Sequence, residues 1–395
     1  MKKSIILIMF LLAIVLLFSI FSNDKDKELE TKEVIKEKNG EVRGVFISYI
    51  DYGHLKNKTK EDQENLISEM INNISYYGLN SVILQVRPFS DAIYKSDIYQ
   101  SSKVVVKNEG DPLKLDILDY FIKQAKIKDI EVYAWVNPYR IRNENDKSDI
   151  SKDSYYYKWF GTDKIEESKE GIYLNPASSE VLEYITSGLK ELCENYDITG
   201  VIYDDYYQPT ETIDLESYEM TDKKLNLREY RIENINKLLK SSYETIKSVD
   251  KELEFGISPA GNIENNLSKE YLDIENILKD DYIDLIIPQL YYGFNNSNKP
   301  YIPTLEKWSS LNVKNKDFYV ALALYKSGKV DEFAGKGENE WLDESDIIKK
   351  QVLISRNEKN YKGFYIYRYE YLFEMYKNEN LNEEISNLKS LLDAS

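Results

Sequence analysis

The chain has 395 residues with a formal net charge of −17, one cysteine and one histidine. So acidic a chain repels a phosphate backbone and releases no counterions on meeting one, which argues against nucleic acid as a partner. One cysteine excludes an intrachain disulfide, and together with one histidine it excludes a Cys/His zinc site. A histidine-based triad would have to use His54, which reads more simply as a loop or helix-start residue, and Cys193 falls in an apolar helical stripe and reads as core.

Lys2 and Lys3 precede an uncharged run over residues 4–22, rich in Ile, Leu and Phe. That length is close to the ~20 residues that span a bilayer, and the leading positive charge keeps the first residues in the cytoplasm. The run predicts an uncleaved membrane anchor with the rest of the chain outside, at the cell surface. A cleaved signal peptide, which would leave a secreted protein, is the alternative. Residues 23–40 are dense in Lys, Glu and Asp and read as a solvated linker.

From residue 41 onward, apolar strand-like runs alternate with segments of helical period. The strands are expected at 43–51, 81–87, 131–137, 200–204, 254–258, 284–289, 318–324 and 363–367. The helices are expected at about 60–77, 114–128, 179–196, 225–249, 271–279, 304–311, 343–356 and 382–392. Strands of this kind, continuously apolar and separated by helices, indicate a parallel sheet buried on both faces. Eight such units in one domain over residues 41–395 predict an α/β fold, the (β/α)₈ TIM barrel. An open doubly wound sheet is disfavoured, because no glycine-rich phosphate loop follows any strand.

In a barrel of this type chemistry collects at the carboxyl ends of the strands. Those ends here carry Asp51; Arg87 and Asp91; Trp135, Asn137, Tyr139 and Arg140; Asp204, Asp205, Tyr206 and Tyr207; Ser258 and Asn262; Gln289, Tyr291 and Tyr292; Tyr325; and Glu370. Aromatic faces stack on pyranose rings, while amides and carboxylates bond to sugar hydroxyls. Cleavage of a glycosidic bond calls for two carboxyl groups and for neither metal nor cofactor. With 34 tyrosines in the chain, any single tyrosine on this rim is more often a packing residue.

The run Gly200-Val201-Ile202-Tyr203-Asp204-Asp205-Tyr206-Tyr207 is the most telling. Side chains alternate along a strand, so Asp204 shares its side with Ile202, and Asp204 rather than Asp205 is expected beneath the substrate. The pair could instead cap a helix or tether a loop. A third arrangement, a metal site made of Asp51, His54, Asp204 and Asp205, would suit a metal-dependent deacetylase or hydrolase. The long segment 141–171, with aromatics at 155–157, 159 and 160, is expected to form a lid or stacking platform, or else a cluster that only anchors the loop.

The chain resembles the glycosyl hydrolase-like family 10, a group of bacterial, often surface-attached barrels. The resemblance is carried by Arg43-Gly44-Val45-Phe46, by Gln85-Val86-Arg87-Pro88 with Asp91-Ala92-Ile93-Tyr94, by the run from Ala134 to Arg140, by Leu174-Asn175-Pro176, by the run from Gly200 to Tyr206, by Phe255-Gly256-Ile257-Ser258-Pro259, and by the run from Asp284 to Tyr291. It implies carbohydrate hydrolysis with the strand-four aspartate, Asp204, as nucleophile. Related barrel glycosidases place that residue four positions after a glycine, as Gly200 stands to Asp204. The general acid stays open between Asp205, Glu264 and Glu370. The expectation is a retaining two-carboxylate glycosidase acting on a polysaccharide, with cell-wall glycan the most accessible polymer. A non-catalytic carbohydrate-binding barrel is the alternative.

Overall fold

The computed structural model describes residues 40–312, 314–373 and 378–394. The apolar run at 4–22 and all of the charged linker except Gly40 lie outside them. Among the described residues no helix is long and apolar enough to cross a membrane.

Eight parallel strands close into a barrel: β1 (Val42–Ile47), β2 (Ser81–Arg87), β3 (Glu131–Val136), β4 (Gly200–Tyr203), β5 (Glu254–Ile257), β6 (Leu285–Ile286), β7 (Asp317–Leu322) and β8 (Tyr361–Ile366). Each pairs with its neighbours in chain order, and β1 closes the ring by pairing with β8 and β2. This is the predicted (β/α)₈ barrel. Alternation along each strand sorts the side chains into two cores. Phe46, Ile83, Trp135, Ile202, Ile287, Tyr319 and Tyr365 fill the barrel interior, while Val45, Ile47, Val82, Leu84, Val201 and Ile257 face the surrounding helices. Bulky inward residues need small ones opposite. A Cβ on Gly44 would lie 2.1 Å from the Tyr365 ring, and one on Gly256 would lie 2.2 Å from Leu285.

The outer helices begin where the sequence supplies caps. Thr59 and Asp62 form a capping box for Lys60–Tyr76, and Asn226 and Glu229 form one for Leu227–Val249. The amino-terminal rim is tied by a buried network. Glu41 accepts from Arg356 Nε and Nη2 at 2.9 and 2.7 Å and from the Tyr361 hydroxyl at 2.9 Å.

Three elements depart from the sequence expectation. The first strand stops at Ile47 rather than at 51, because Ser48 and Asp51 form a capping box that turns Tyr49–His54 into a 3₁₀ helix. The helix expected at 271–279 is two short helices, Ile263–Lys269 and Ile274–Ile277, the first capped by the Asn262 side chain. Between them Tyr271 takes a left-handed φ of 54°. The sixth strand is only Leu285–Ile286. Pro288 lacks a backbone donor, and Gln289 reaches its neighbours through isolated bridges to Ala260 and Ala321.

The segment after β3 folds as a small antiparallel sheet of Arg140–Arg142, Ile165–Glu167 and Ile172–Leu174 with a short helix, Tyr155–Trp159. Tyr155 and Trp159 pack on Tyr184, with ring centroids 4.1 and 5.5 Å away. Tyr155 and Trp159 thus anchor the loop to the barrel, the second of the two roles expected of this segment.

Candidate active site

β4 ends at Tyr203, and the next residue continues its inward face. Asp204 lies two residues past the inward Ile202 and is buried at the floor of the mouth. The β3 register sets Trp135 opposite Ile202. From there its Nε1 donates to Asp204 Oδ2 at 3.0 Å. Asn137, just past the same strand, donates Nδ2 to Oδ1 at 3.1 Å and to Oδ2 at 3.0 Å. The Arg140 backbone N–H donates to Asn137 Oδ1 at 2.9 Å and thereby fixes which way that amide points. Asp204 is thus an anchored carboxylate with both oxygens engaged.

A cavity of about 150 Å³ opens beside it. Its walls are Phe46, Trp135, Tyr206, Tyr291, Tyr325 and Tyr367, with Ile202, Ser258 and Gln289 completing the lining beside the aspartates. Tyr291, Tyr325 and Tyr367 contact one another with centroids 5.7 to 5.9 Å apart. Asp204 and Asp205 are the two carboxylates in this lining. Burial raises Asp204 above the ordinary aspartate range, opposed by the charge of Arg140 and by the Asn137 and Trp135 hydrogen bonds. Asp205 is pushed up to about 7 by burial and then by the negative charge of Asp204, opposed in part by the Gln289 amide. Burial thus pushes both neighbouring carboxyls up; Asp204 has Arg140, Asn137 and Trp135 to favour its charged form, while Asp205 has the Asp204 charge against it.

Of the predicted site residues, Asp204, Asp205, Trp135, Tyr206, Ser258, Gln289, Tyr291 and Tyr325 meet in this cavity. Asn137 and Arg140 stand directly behind and beside it. The others serve elsewhere. Arg87 is buried, donates to the carbonyls of Asn137 and Pro138 and stacks 4.5 Å from the Tyr99 ring, so it holds the β3 loop. Asp91 is buried and accepts from the Phe89 N–H at 3.2 Å. Tyr139 and Tyr207 are core residues. Asn262 caps a helix. Tyr292 lies outside the cavity lining, its carbonyl accepting from Gln351.

Two proposed acids are also displaced. Glu264 is bridged at the surface by Lys299 and Lys307, whose hydrogen bonds hold it down to about 2. Such a group has no proton to give near neutral pH. Glu370 is paired with Arg368, which also holds Asp51 at 2.6 Å. With Asp51 so committed and His54 exposed, the metal grouping with Asp204 and Asp205 is not assembled, and among the described residues no cluster of three acidic, His or Cys side chains is placed to hold a metal ion.

Residues that the strand ends did not single out also matter. Tyr367 lines the cavity one position past β8, and Phe46 one turn of the pleat before the end of β1. Glu270 accepts from the backbone N–H groups of Tyr207 and Gln208 at 2.9 and 3.1 Å and so shapes the loop after the aspartates. Tyr367 was legible as the last residue of the eighth apolar run; nothing in the sequence pointed to Glu270.

The sequence profile of the family described as glycosyl hydrolase-like 10 matches residues 41–343. The chain belongs to this family. Similar proteins include "Glycosyl hydrolase YngK" of Bacillus subtilis, 28% identical over 351 residues, covering 82% of this chain and 67% of that protein. "Glycosyl hydrolase DigH" of Escherichia coli is 26% identical over 358 residues, covering 82% of this chain and 80% of that protein. Among solved structures, the glycoside hydrolase domain of PgaB from Bordetella bronchiseptica superposes with a TM-score of 0.53 at 12% identity, covering 89% of this chain and 98% of that one. The endo-1,4-β-mannanase of Rhizomucor miehei gives 0.53 at 13%, covering 91% and 97%. At such identities the structural likeness speaks for the barrel alone. The match to the glycosyl hydrolase-like 10 profile starts at the first barrel strand and takes in Asp204, Asp205, Asn137 and Trp135; Tyr367, just past the eighth strand, lies beyond it.

Proposed function

We propose that this glycosyl hydrolase-like barrel cleaves glycosidic bonds of a polysaccharide at the cavity beside Asp204, with Asp205 as the proton donor. The observation that carries the reading is the different surroundings of two neighbouring carboxyls: Asp204 accepts three hydrogen bonds that favour its charged form, while Asp205 is pushed up to about 7. A glycosidase needs that pair of states, a protonated acid for the leaving oxygen and a charged carboxylate for the developing oxocarbenium ion. The aromatic walls supply stacking faces for the sugar. In the retaining scheme Asp204 attacks the anomeric carbon while Asp205 protonates the leaving oxygen. Asp205 then takes a proton from the water that releases the sugar.

One observation favours a second route. The two carboxyls come from consecutive residues at one strand end, and both Asp204 oxygens are already engaged. On a sugar bearing a 2-acetamido group, the acetamido carbonyl oxygen can attack in place of Asp204, which then orients the amide N–H. Both routes retain configuration and both use Asp205. A 2-fluoro glycoside that traps a covalent sugar on Asp204 supports the first. Rates that fall with fluorination of the N-acyl group support the second.

The charged start and apolar run at residues 2–22 support a barrel tethered outside the cell, where cell-wall glycan is the accessible polymer. The test is mass analysis of that glycan after incubation with the protein and with Asp204→Asn. Hydrolysis by the first and binding without hydrolysis by the second are expected; binding without turnover by both would favour a carbohydrate-binding protein.

A further inference from the structure

Arg140 heads the first strand of the small sheet after β3. Its Nε donates to the Pro88 carbonyl at 3.1 Å, which fixes the stem and one edge of the guanidinium. Three aromatic rings surround the head: the guanidinium carbon lies 5.0 Å from the Phe89 centroid, 5.3 Å from Tyr206 and 5.7 Å from Tyr49. Among the described residues no carboxylate pairs with it, and its two terminal nitrogens have no hydrogen-bond partner. The buried arginines are spent: Arg43, Arg142, Arg231, Arg356 and Arg368 each pair with a carboxylate, and Arg87 serves backbone carbonyls. In a chain of net charge −17, an arginine at the mouth that acts on Asp204 through its charge but makes no ion pair keeps its terminal fork available to an anion.

We propose that Arg140 recognises a carboxylate carried by the glycan at or beside the scissile linkage, so that the substrate is an acidic polymer rather than a neutral one. The proposal rests on the glycosidase reading of the cavity. A guanidinium with its terminal fork free matches a carboxylate in bidentate fashion, and the flanking rings exclude water and strengthen the pair. Tyr206 connects this site to the cavity. Its ring lines the cavity and contacts Arg140, while 53% of the residue stays exposed to meet a sugar face. A rival role for Arg140 is to stabilise the Asp204 charge from a distance. That role would be blind to acid groups on the substrate.

The test compares acidic cell-wall glycan fragments with the same fragments after their carboxyl groups are reduced to alcohols, using the full chain and its Arg140→Gln and Arg140→Lys variants. The expected result is a kcat/KM higher by about tenfold to hundredfold on the acidic fragments, residing mainly in KM, since that is the range for a charge-assisted hydrogen bond. The preference should shrink toward unity in Arg140→Gln and be kept only in part by Arg140→Lys. Equal wild-type rates on both fragments, or a loss in Arg140→Gln by one common factor on both, would overturn the proposal; the second outcome would assign Arg140 to Asp204 alone. The same comparison by binding to Asp204→Asn does not depend on turnover. If no fragment is cleaved but the acidic ones still bind more tightly through Arg140, the hydrolase reading fails and the carboxylate site stands. Equal binding of both fragments removes the site.

Discussion

Asn137 donates its side-chain amide to both oxygens of Asp204, at 3.1 and 3.0 Å. With the Trp135 indole on Oδ2, this leaves the carboxylate oriented by groups from the neighbouring strand. Replacing Asn137 with Ala removes a donor that stabilises the ionised form and lets the carboxylate turn. We expect kcat to fall by about 10²–10³, as when one aimed donor is lost from a catalytic site. The acidic limb of the rate profile should move to higher pH, because Asp204 protonates more readily. Asn137→Asp, which sets a second carboxyl against the first, should be worse than Ala. Steady-state kinetics across pH on one glycan substrate checks both.

Asp205 gives a pH prediction of definite sign. A group pushed up to about 7 carries its proton below that value and loses it above. As the general acid it must be protonated, so kcat/KM should fall as pH rises through about 7. Asp205→Asn should lose about 10²–10⁴ in rate and abolish that alkaline limb. An aryl glycoside with a good leaving group, which needs little protonation, should recover much of the loss in the Asp205→Asn variant. A variant profile that keeps the alkaline limb would assign the limb to another group.

Glu264 and Glu370 provide the contrast. Glu264 lies at the surface between Lys299 and Lys307, and exposed ion pairs contribute about 0–1 kcal/mol. Glu264→Gln should leave kcat/KM within about twofold and change stability by no more than that amount. Glu370→Gln should weaken the hold on Arg368 without altering the pH profile. Rates at several pH values and a denaturant titration read both effects.

At the opposite rim, Glu41 is buried against Arg356 and Tyr361 where the first and last strands meet. Glu41→Ala leaves the Arg356 charge buried without this partner. Breaking a buried pair on one side costs about 3–5 kcal/mol. The variant should unfold at markedly lower denaturant yet keep its pH profile while folded, since the network lies at the far end from Asp204.

The barrel was legible because its strands are short apolar runs at regular intervals, and the alternation that places Ile202 inward carries Asp204 inward with it. Gly44 and Gly256 carried no packing signal in the sequence; the Tyr365 ring beside one and Leu285 beside the other reveal why they are needed. Site residues on β3 and β4 were found by reading strand ends. Arg87 at the end of β2, and Tyr139 and Tyr207 past the ends of β3 and β4, are buried instead, because one-dimensional alternation stops at the last strand residue. Glu264 failed for a related reason: its helix, started by Asn262, points the carboxylate at lysines 35 and 43 residues further along. Glu270 carried no sequence signal, since its role is to hold two backbone N–H groups more than 60 residues away.

The central claim is that bonds are hydrolysed at Asp204 with a proton from Asp205. The most direct measurement is incubation of purified cell-wall glycan with the protein in heavy-oxygen water, followed by mass analysis of the products from the wild type and from Asp204→Asn. The account predicts shortened fragments carrying one heavy oxygen at each new reducing end from the wild type, and none from Asp204→Asn. Intact glycan after incubation with the wild type, or equal incorporation by the variant, would contradict it.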